Sequence, residues 1–486
     1  MLKQKAITAT LWSGADIFLR QGLQFLVAVA MARLLTPEEF GTIALLYLFV
    51  GLAGVFVDSG FSAALIQRQD TTHTDESTVF WFNLAMGGAM AVGLWLLAPS
   101  IAKFFDSPVL APLTGVLAMN LFIGALGSIH GTLLAKRLDF KTPMKIGAIA
   151  TTVSGGLGIS IAWQGHGVWA LAIQTLVSTI LTTALLWLLS RWRPRLEFSL
   201  ASVRCLFGFG GYLMMAGLLD VAYSRIYTLL IGKFWTVREL GFYNRADSTK
   251  QLPVGVLTGI LSRVAFPIFS AAAADKEKLR RGVRQALRGM MLINVPMMLG
   301  LMVTAEPLVL TLYGAQWLPA VPMLQVLCLA GMLWPLHVIN LNVLMAQGHS
   351  RLFFRLEVAK KVVGTAVLTG GTIYGVMGIA WSQVVFGLLA FGINAHYTRI
   401  HLGYSVWEQI SDFLPALAIS SVMAFFVFGL GNLVIWDPGP KLLLQISTGI
   451  VIFIVGCHLA GLQAYKDGRE ILVGQFNKSV AVKTSA

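Results

Sequence analysis

Long uninterrupted apolar stretches constrain the fold of this chain more than any other feature of its sequence. A transmembrane helix needs about 20 predominantly apolar residues, and fourteen windows approach or exceed that length. Charged residues make up only 12% of the chain, about half of the roughly 25% usual in soluble domains. The sequence therefore predicts an all-α polytopic membrane protein and excludes a soluble enzyme. The predicted spans are residues 12–34, 41–66, 78–102, 109–135, 144–164, 167–190, 206–232, 240–271, 289–313, 319–346, 353–374, 376–398, 411–435 and 442–464.

The distribution of basic residues predicts how these spans are oriented. When bases toward the ends of spans are counted with the connection they adjoin, 26 of the 36 lysines and arginines belong to alternate connections, 5 to the opposite ones and 5 to span interiors. Because the cytoplasmic loops of membrane proteins are enriched in lysine and arginine, we expect both termini to be cytoplasmic, in a bacterial inner membrane. The net charge of +14 then follows from topology and indicates no nucleic-acid partner. The basic N-terminus is interpreted as the start of a retained first span.

Three pairs of similar segments indicate an internal repeat. Residues 33–41 match 233–241, residues 133–136 match 344–347, and residues 167–172 match 375–380, in the same order and at nearly one offset. Self-similarity at a fixed offset is typical of duplicated units. We therefore predict two six-helix lobes related by a pseudo-twofold axis along the membrane normal. The predicted boundaries are 1–195 for the N-lobe, 196–403 for the C-lobe, and 404–486 for two extra helices and a cytoplasmic tail.

Ionisable residues inside the predicted spans are the candidate functional residues, because a buried charge is costly unless it lines water or finds a partner. We predict a water-filled cavity with a cationic wall suited to an anionic headgroup such as a phosphate. The alternative is that these acids and bases only form ion pairs that link neighbouring helices. The candidates for headgroup contact are Arg20, Arg225, Arg245, Lys250 and Arg263, and those for charge balance or ion coupling are Asp16, Asp58, Asp220 and Asp247.

Motifs of catalysis and of metal binding are missing from the sequence. It contains no GxxxxGK[ST] phosphate-binding loop, no HExxH and no CxxC, and the three cysteines Cys205, Cys328 and Cys457 lie in or beside apolar segments. No long loop is available to position a nucleophile, base and acid together. We therefore expect a transporter without a resident cofactor or metal, and not an enzyme.

Several short motifs resemble those of Wzx-type polysaccharide flippases of the MOP superfamily, in particular the colanic acid and succinoglycan exporter group. The resemblance covers nearly the whole chain, and its motifs are fairly specific in combination. They are Leu35-Thr-Pro-Glu-Glu-Phe-Gly41, Asp58-Ser-Gly60, Gly241-Phe-Tyr-Asn-Arg-Ala246 with Pro253, Arg263-Val-Ala-Phe-Pro-Ile-Phe-Ser270, Tyr313-Gly-Ala-Gln-Trp317 and Leu344-Met-Ala-Gln-Gly348.

The resemblance implies a lipid-linked oligosaccharide carried on undecaprenyl diphosphate as the substrate. It implies movement from the inner to the outer leaflet for exopolysaccharide or lipopolysaccharide synthesis, by alternating access coupled to an H⁺ or Na⁺ gradient as in an antiporter. Membrane lipids, a polysaccharide polymerase and chain-length machinery are the implied partners. It does not identify the sugar.

Three alternatives to this function remain open. Two belong to the same superfamily: a peptidoglycan-precursor flippase, and a drug exporter, which would be expected to have an acidic cavity. The third is a membrane glycan polymerase, which would be expected to have a substantial outer loop with a reactive site.

Overall fold

The computed structural model describes residue 19 and residues 21–68, 70–273 and 275–470, with only the backbone of residues 260, 262–268 and 350. All regular secondary structure in this part of the chain is helical. The helices are α1 (Gln21–Leu34), α2 (Pro37–Asp58), α3 (Phe61–Gln67), α4 (His73–Phe104), α5 (Leu110–Lys136), α6 (Lys141–Trp163), α7 (Val168–Leu189), α8 (Leu200–Phe234), α9 (Val237–Ala272), α10 (Lys276–Val303), α11 (Ala305–Leu312), α12 (Ala320–Ala346), α13 (Ser350–Thr372), α14 (Gly375–Leu402), α15 (Val406–Leu433), α16 (Pro438–Leu459) and α17 (463–470).

Each of the fourteen predicted spans contains helical structure in the part of the chain that the structure describes. Within the described residues, eleven helices are long and apolar enough to cross a membrane, and the described part of α1 is a shorter apolar helix. The remaining two predicted spans correspond to α9 and α13. These helices are long enough to cross a membrane but contain clusters of charged residues. The prediction of an all-α polytopic membrane protein is confirmed.

The second predicted span is broken, which the apolar pattern did not reveal. Residues 41–66 form α2 and α3, separated by Ser59 and Gly60 in left-handed backbone conformations with φ of 47° and 72°. Only glycine adopts this region without steric cost, so the Ser-Gly sequence favours a break here. A second irregularity follows α10, where the short helix α11 and a 3₁₀ turn at Ala315–Trp317 precede α12.

The repeat at an offset of 200 recurs as the same local geometry. Thr36 and Glu39 form a capping box at the start of α2, with the Thr36 amide donating to Glu39 Oε2 at 2.6 Å. The Thr236 amide donates to Glu239 Oε2 at 3.1 Å, and the Glu239 amide donates to Thr236 Oγ1 at 3.1 Å. Such reciprocal bonds satisfy amides that have no partner in the first turn of a helix.

Two helices of the first unit approach closely because glycines lie between them. At successive levels along α2 and α8, Gly60 faces Gly210, Gly217 faces Val55, Gly51 faces Val221 and Gly232 faces Leu45. A Cβ atom on Gly60 would overlap the Gly210 carbonyl, and one on Gly232 would overlap the Leu45 side chain. We call these four pairs the glycine seam. Small residues at such positions allow backbones of membrane helices to pack closely.

The chain forms two compact units, residues 1–244 and 245–486. Helix α8 belongs to the first unit because it packs along α2. The repeat-based boundary at 195/196 therefore stays a prediction about duplication. In the second unit, residues of α10 at intervals of four are at most 1% exposed and form part of the core, namely Leu279, Val283, Leu287, Met291 and Val295.

Helices α15 and α16, the predicted addition to the repeat, pack on the second unit. Helix α15 contacts α10, and α16 contacts both α15 and α11.

Candidate functional site

Three of the predicted residues carry no side-chain description. Asp16 and Arg20 lie outside the described residues, and Arg263 lies in the part of α9 for which only the backbone is described. Their predicted roles stay predictions. The other six predicted residues are distributed over both units, and each unit is considered separately.

Asp247 and Lys250, one turn apart on α9, form an ion pair. Lys250 Nζ lies 2.6 Å from Asp247 Oδ1 and 3.4 Å from Gln383 Oε1 of α14. The Lys250 side chain is only 7% exposed, whereas that of Asp247 is 31% exposed. Residues three apart lie on the same face of a helix, and this spacing accounts for the pair. The ammonium is buried among neighbouring helices, while its carboxylate partner retains contact with the surface.

A second buried lysine repeats this arrangement, and the sequence reasoning missed it. Lys360 Nζ lies 2.5 Å from Glu357 Oε1, again at a spacing of three, with side-chain exposures of 7% and 31%. Lys360 is one of the 26 basic residues that the positive-inside pattern interprets as orienting the helices. It lies ten residues into α13, which is about 15 Å at 1.5 Å per residue. The common pattern of acid, two residues and lysine in Asp247–Lys250 and Glu357–Lys360 could have revealed it.

Both lysines approach the same pair of helices, α12 and α14. Gly331 of α12 lies against the methylene stem of Lys250. Six residues further along α12, the partly buried His337 lies near Lys360. A Cβ atom on Gly387 of α14 would lie 3.9 Å from His337 Nε2. The second unit therefore holds two buried ammonium groups at different levels, each paired with one partly exposed carboxylate.

Arg245 packs among aromatic rings. Its guanidinium carbon lies 5.0 Å from the ring centre of Tyr313 and 5.2 Å from that of Trp317, and the residue is 8% exposed. The Tyr313 hydroxyl is 2.9 Å from Thr249 Oγ1, one turn along α9. A guanidinium stacked on aromatic faces is stabilised by their quadrupoles. In this conformation Arg245 braces α9 against the segment after α11, so a headgroup role for it stays a prediction.

In the first unit, Arg225 and Asp220 lie on different sides of α8. Arg225 is half-buried and acts electrostatically on Tyr47 of α2, whose hydroxyl lies 2.8 Å from Thr175 Oγ1 of α7. Asp220 is exposed. Five residues of helix separate them by about 140°, so they do not form a pair. Among the predicted cations of the first unit, Arg225 is the one whose side chain is described, and it lies near Tyr47 of α2.

Asp58 ends α2 and begins a polar chain between helices. Its Oδ1 accepts a short hydrogen bond from Ser62 Oγ of α3, and Ser62 Oγ accepts from Thr132 Oγ1 of α5 at 2.9 Å. Asp58 is therefore linked through Ser62 to the neighbouring helix α5. Its role in ion coupling stays a prediction.

A further ionic cluster joins α10 to α15. Asp412, whose side chain is 2% exposed, accepts from Arg284 Nε at 2.5 Å, from Arg288 Nη2 at 2.5 Å and from the Tyr404 hydroxyl at 2.7 Å. Burial and this hydrogen bond to Asp412 raise the pKa of the Tyr404 phenol, so it stays a donor at neutral pH. Arg280 pairs with Glu408 at 2.6 Å, one turn before Asp412. Arg280, Arg284 and Arg288 are also among the 26 bases that the positive-inside pattern interprets only as orienting the helices.

Among the described residues, no cluster of histidine, cysteine, aspartate or glutamate could hold a metal ion. The candidate groups are instead cations packed among neighbouring side chains and cation–carboxylate pairs inside long helices. Such groups can hold an anion or exchange partners with it, because the charge-assisted bonds they form are strong in a poorly hydrated setting.

Comparison with known proteins identifies relatives over most of the chain. Residues 30–322 match the family described as "Polysaccharide biosynthesis protein", and residues 213–446 match the family described as "Lipid II flippase MurJ". The chain is 28% identical over 446 residues to the lipopolysaccharide biosynthesis protein WzxC of Escherichia coli (strain K12), covering 88% of this chain and 89% of WzxC. It is 27% identical over 439 residues to the succinoglycan biosynthesis transport protein ExoT of Rhizobium meliloti (strain 1021), covering 89% and 87%.

The fold is similar to that of a solved transporter. A structure described as Lipid II flippase MurJ in an inward closed conformation has a TM-score of 0.75 at 18% identity, covering 94% of this chain and 99% of that one. An inward-facing multidrug transporter of the MATE family and MOP superfamily has a TM-score of 0.60 at 16% identity, covering 79% and 98%. The fold is therefore similar to those of a lipid flippase and of a multidrug transporter.

Proposed function

The chain belongs to the polysaccharide biosynthesis protein family, and from this we propose that it is a flippase for a lipid-linked oligosaccharide. The cargo would be a repeat unit on undecaprenyl diphosphate, carried from the inner to the outer leaflet of a bacterial cytoplasmic membrane. Its relatives include proteins named for lipopolysaccharide synthesis and succinoglycan transport. The observation that carries the proposal is the presence of buried cations, Lys250 above all, inside membrane-length helices of this fold.

The cations would attract the diphosphate, which is the one part of the cargo with fixed negative charge. Arg225 in the first unit and Lys250 in the second are the described candidates for this contact. The polyprenyl chain would remain in lipid while the headgroup crosses, since the chain is apolar and the sugar is not. Alternating access between the two faces of the membrane is the mechanism that parallel repeats of this kind support.

Coupling to an ion gradient is part of the same proposal. Asp247 is partly exposed and bonded to a buried lysine, so protonation or Na⁺ binding at this carboxylate would release the ammonium for an anionic ligand. Further candidates for exchange with H⁺ or Na⁺ are the predicted residues Asp16, Asp58 and Asp220. Glu357, which pairs with Lys360, is an additional candidate that the structure brings in. A polysaccharide polymerase and chain-length machinery would act on the product.

A peptidoglycan-precursor flippase is the second candidate, because residues 213–446 match the Lipid II flippase family and the fold is similar to that of MurJ. The relatives that align over most of the chain favour polysaccharide export over this candidate. The described embedded bases Lys250 and Lys360 disfavour a drug exporter for cations. A connection long enough to host a polymerase site is not found between the described helices α2 to α16.

The test is export in cells that lack the chromosomal gene and carry plasmid-borne variants. We expect Arg225→Gln with Lys250→Gln to reduce surface polysaccharide at least about tenfold, which corresponds to roughly 1.4 kcal/mol. The lipid-linked precursor should accumulate on the inner side. Arg281→Gln, on the exposed face of α10, is the matched control and should export normally. Normal export by the double variant at normal protein levels would contradict a cationic path for the headgroup.

A further inference from the structure

Two adjoining cavities open at one end of the second unit, where α10 begins and where α12 and α14 end. The first has a volume of about 530 Å³ and the second about 380 Å³, and His349 lines both. We call them together the basic groove. Its polar lining consists of Lys276, Gln347, His349, Arg351, Arg355 and His401.

The basic groove has the donor set of an anion site. Three of its side chains are permanent cations, two are imidazoles and one is an amide, and none of the described lining residues of either cavity carries a carboxylate. The nearest acids in sequence, Asp275 and Glu277, flank Lys276 but do not line the cavities, and the Asp275 carboxylate accepts the Lys278 amide at 3.0 Å. Arginine, lysine and imidazole together match the oxygens of a phosphate group.

The end of α12 fixes the geometry of the basic groove. Gly348 adopts a φ of 80°, and the His349 amide donates to the Leu344 carbonyl at 3.0 Å. This is the hydrogen bond of a helix that ends on a left-handed glycine. The turn places the His349 ring 4.2 Å from that of His401 on α14, centre to centre. Two imidazoles from separate helices are thereby held side by side at the cavity wall.

One face of α13 continues from the arginines as an apolar stripe. Arg351 and Arg355 are followed on the same side of the helix by Phe354, Val358 and Val362, which are 61%, 43% and 66% exposed. A soluble phosphate would make no use of this stripe, whereas a lipid would place its phosphate at the arginines and its chain along the stripe. We propose that the basic groove binds the phosphate of an anionic lipid whose chain lies along α13.

This site goes beyond the proposed transport function and does not depend on it. All of its residues belong to the second unit, and none is among those proposed to contact the transported headgroup. Its binding can therefore be measured on the purified full-length protein without any transport assay.

The test is retention of lipid by the protein in detergent micelles, read by native mass spectrometry. The probes are dioleoyl phosphatidylglycerol, dioleoyl phosphatidylcholine and inorganic phosphate. We expect wild-type protein to bind phosphatidylglycerol in preference to phosphatidylcholine, and millimolar inorganic phosphate not to displace it. Arg351→Gln with Arg355→Gln should weaken phosphatidylglycerol binding at least about tenfold, because charge-assisted hydrogen bonds are lost. Arg399→Gln, exposed on α14, is the matched control and should bind as wild type does.

A milder variant keeps the test decisive if the double glutamine variant does not fold. Arg351→Lys with Arg355→Lys retains the charge, and His349→Gln with His401→Gln removes the imidazole pair; each should give an intermediate loss. Equal retention of phosphatidylglycerol by all of these variants would overturn the site. Equal binding of phosphatidylcholine would overturn recognition of net negative charge, and displacement by inorganic phosphate would show that the ligand is a soluble phosphate and not a lipid.

Discussion

Asp412 shows how one carboxylate can join two helices of an apolar fold. Its side chain is nearly fully buried and accepts hydrogen bonds from Arg284, Arg288 and Tyr404. Glu408, one turn earlier on the same helix, makes a similar pair with Arg280, but its side chain is 36% exposed. The two acids thus differ in burial while sharing the partner helix.

This difference predicts unequal effects of neutralising the two acids. Asp412 accepts hydrogen bonds from two partly exposed arginines and from Tyr404, so Asp412→Asn should destabilise the protein by about 1–3 kcal/mol through the weakening of these charge-assisted bonds. Glu408→Gln should cost about 0–1 kcal/mol, as exposed pairs do. The measurement is the midpoint of thermal unfolding in one detergent, followed by tryptophan fluorescence. Equal shifts for the two variants would contradict the assigned role of burial.

The sequence could predict candidate residues but not which of them pair. Asp247 and Lys250 are one helical turn apart, so their contact follows from spacing alone. The burial of Lys360 depends on α12 and α14 lying against α13, and the covering of Arg245 depends on Tyr313 and Trp317 more than sixty residues away. Contacts of this kind arise from tertiary packing, to which a local pattern of charges is insensitive.

At the level of elements, the strongest constraint is a reciprocal contact between the two repeated helix starts. A Cβ on Gly41 would overlap the Val237 carbonyl oxygen, and a Cβ on Gly241 would overlap the Pro37 carbonyl oxygen. The offset of 200 residues thus relates two glycines that play the same part toward each other's helix. The motif found in the sequence therefore marks a point of backbone contact as well as a pair of caps.

We expect Gly41→Ala and Gly241→Ala each to lower the stability of this conformation by about 1–3 kcal/mol, because the backbone must shift to admit a methyl group. Gly93→Ala is the matched control, since a Cβ at Gly93 of α4 would meet nothing within 4 Å. It should be neutral, or stabilising by up to about 1 kcal/mol, because alanine favours helices more than glycine does. Thermal unfolding midpoints measured in the same detergent provide the check, and a larger loss for the control would refute the contact.

The helices themselves were largely predictable, and their interruptions were not. Length and apolar content fix where a helix can cross a membrane, because these properties add along the chain. The break at Ser59 and Gly60 needs the backbone of α8 to pass beside it at Gly210, about 150 residues away. The break at Thr304 between α10 and α11 likewise lies inside one predicted span, where apolar content changes little, so hydropathy gives no signal for it.

For the whole molecule, the arrangement of basic residues makes a prediction about sidedness. Reporter fusions at Leu138 and Arg195 should be cytoplasmic, and fusions at Asp106, Trp235 and Asp437 should face outward, if fourteen spans alternate from a cytoplasmic N-terminus. Paired alkaline phosphatase and green fluorescent protein fusions at each position provide the measurement. Phosphatase activity at Leu138 or fluorescence at Asp106 would require a different number of spans.

The division of the whole chain into units was the least predictable property. Repeated motifs describe how the sequence was duplicated, whereas compactness depends on which helices finally touch. Helix α8 carries the start of the second repeat and yet packs along α2. The boundary between the sequence repeats and the boundary between the compact units therefore fall at different places in the chain.

The glycine seam between α2 and α8 has a mechanical consequence. At its four levels the facing side chains are aliphatic or missing, so none of them can form a directional bond across the seam. Cohesion there comes from short-range dispersion, which fades steeply with small increases in separation. Such a contact resists only the first fraction of an ångström of separation between α2 and α8. It can close again without re-forming a specific set of hydrogen bonds.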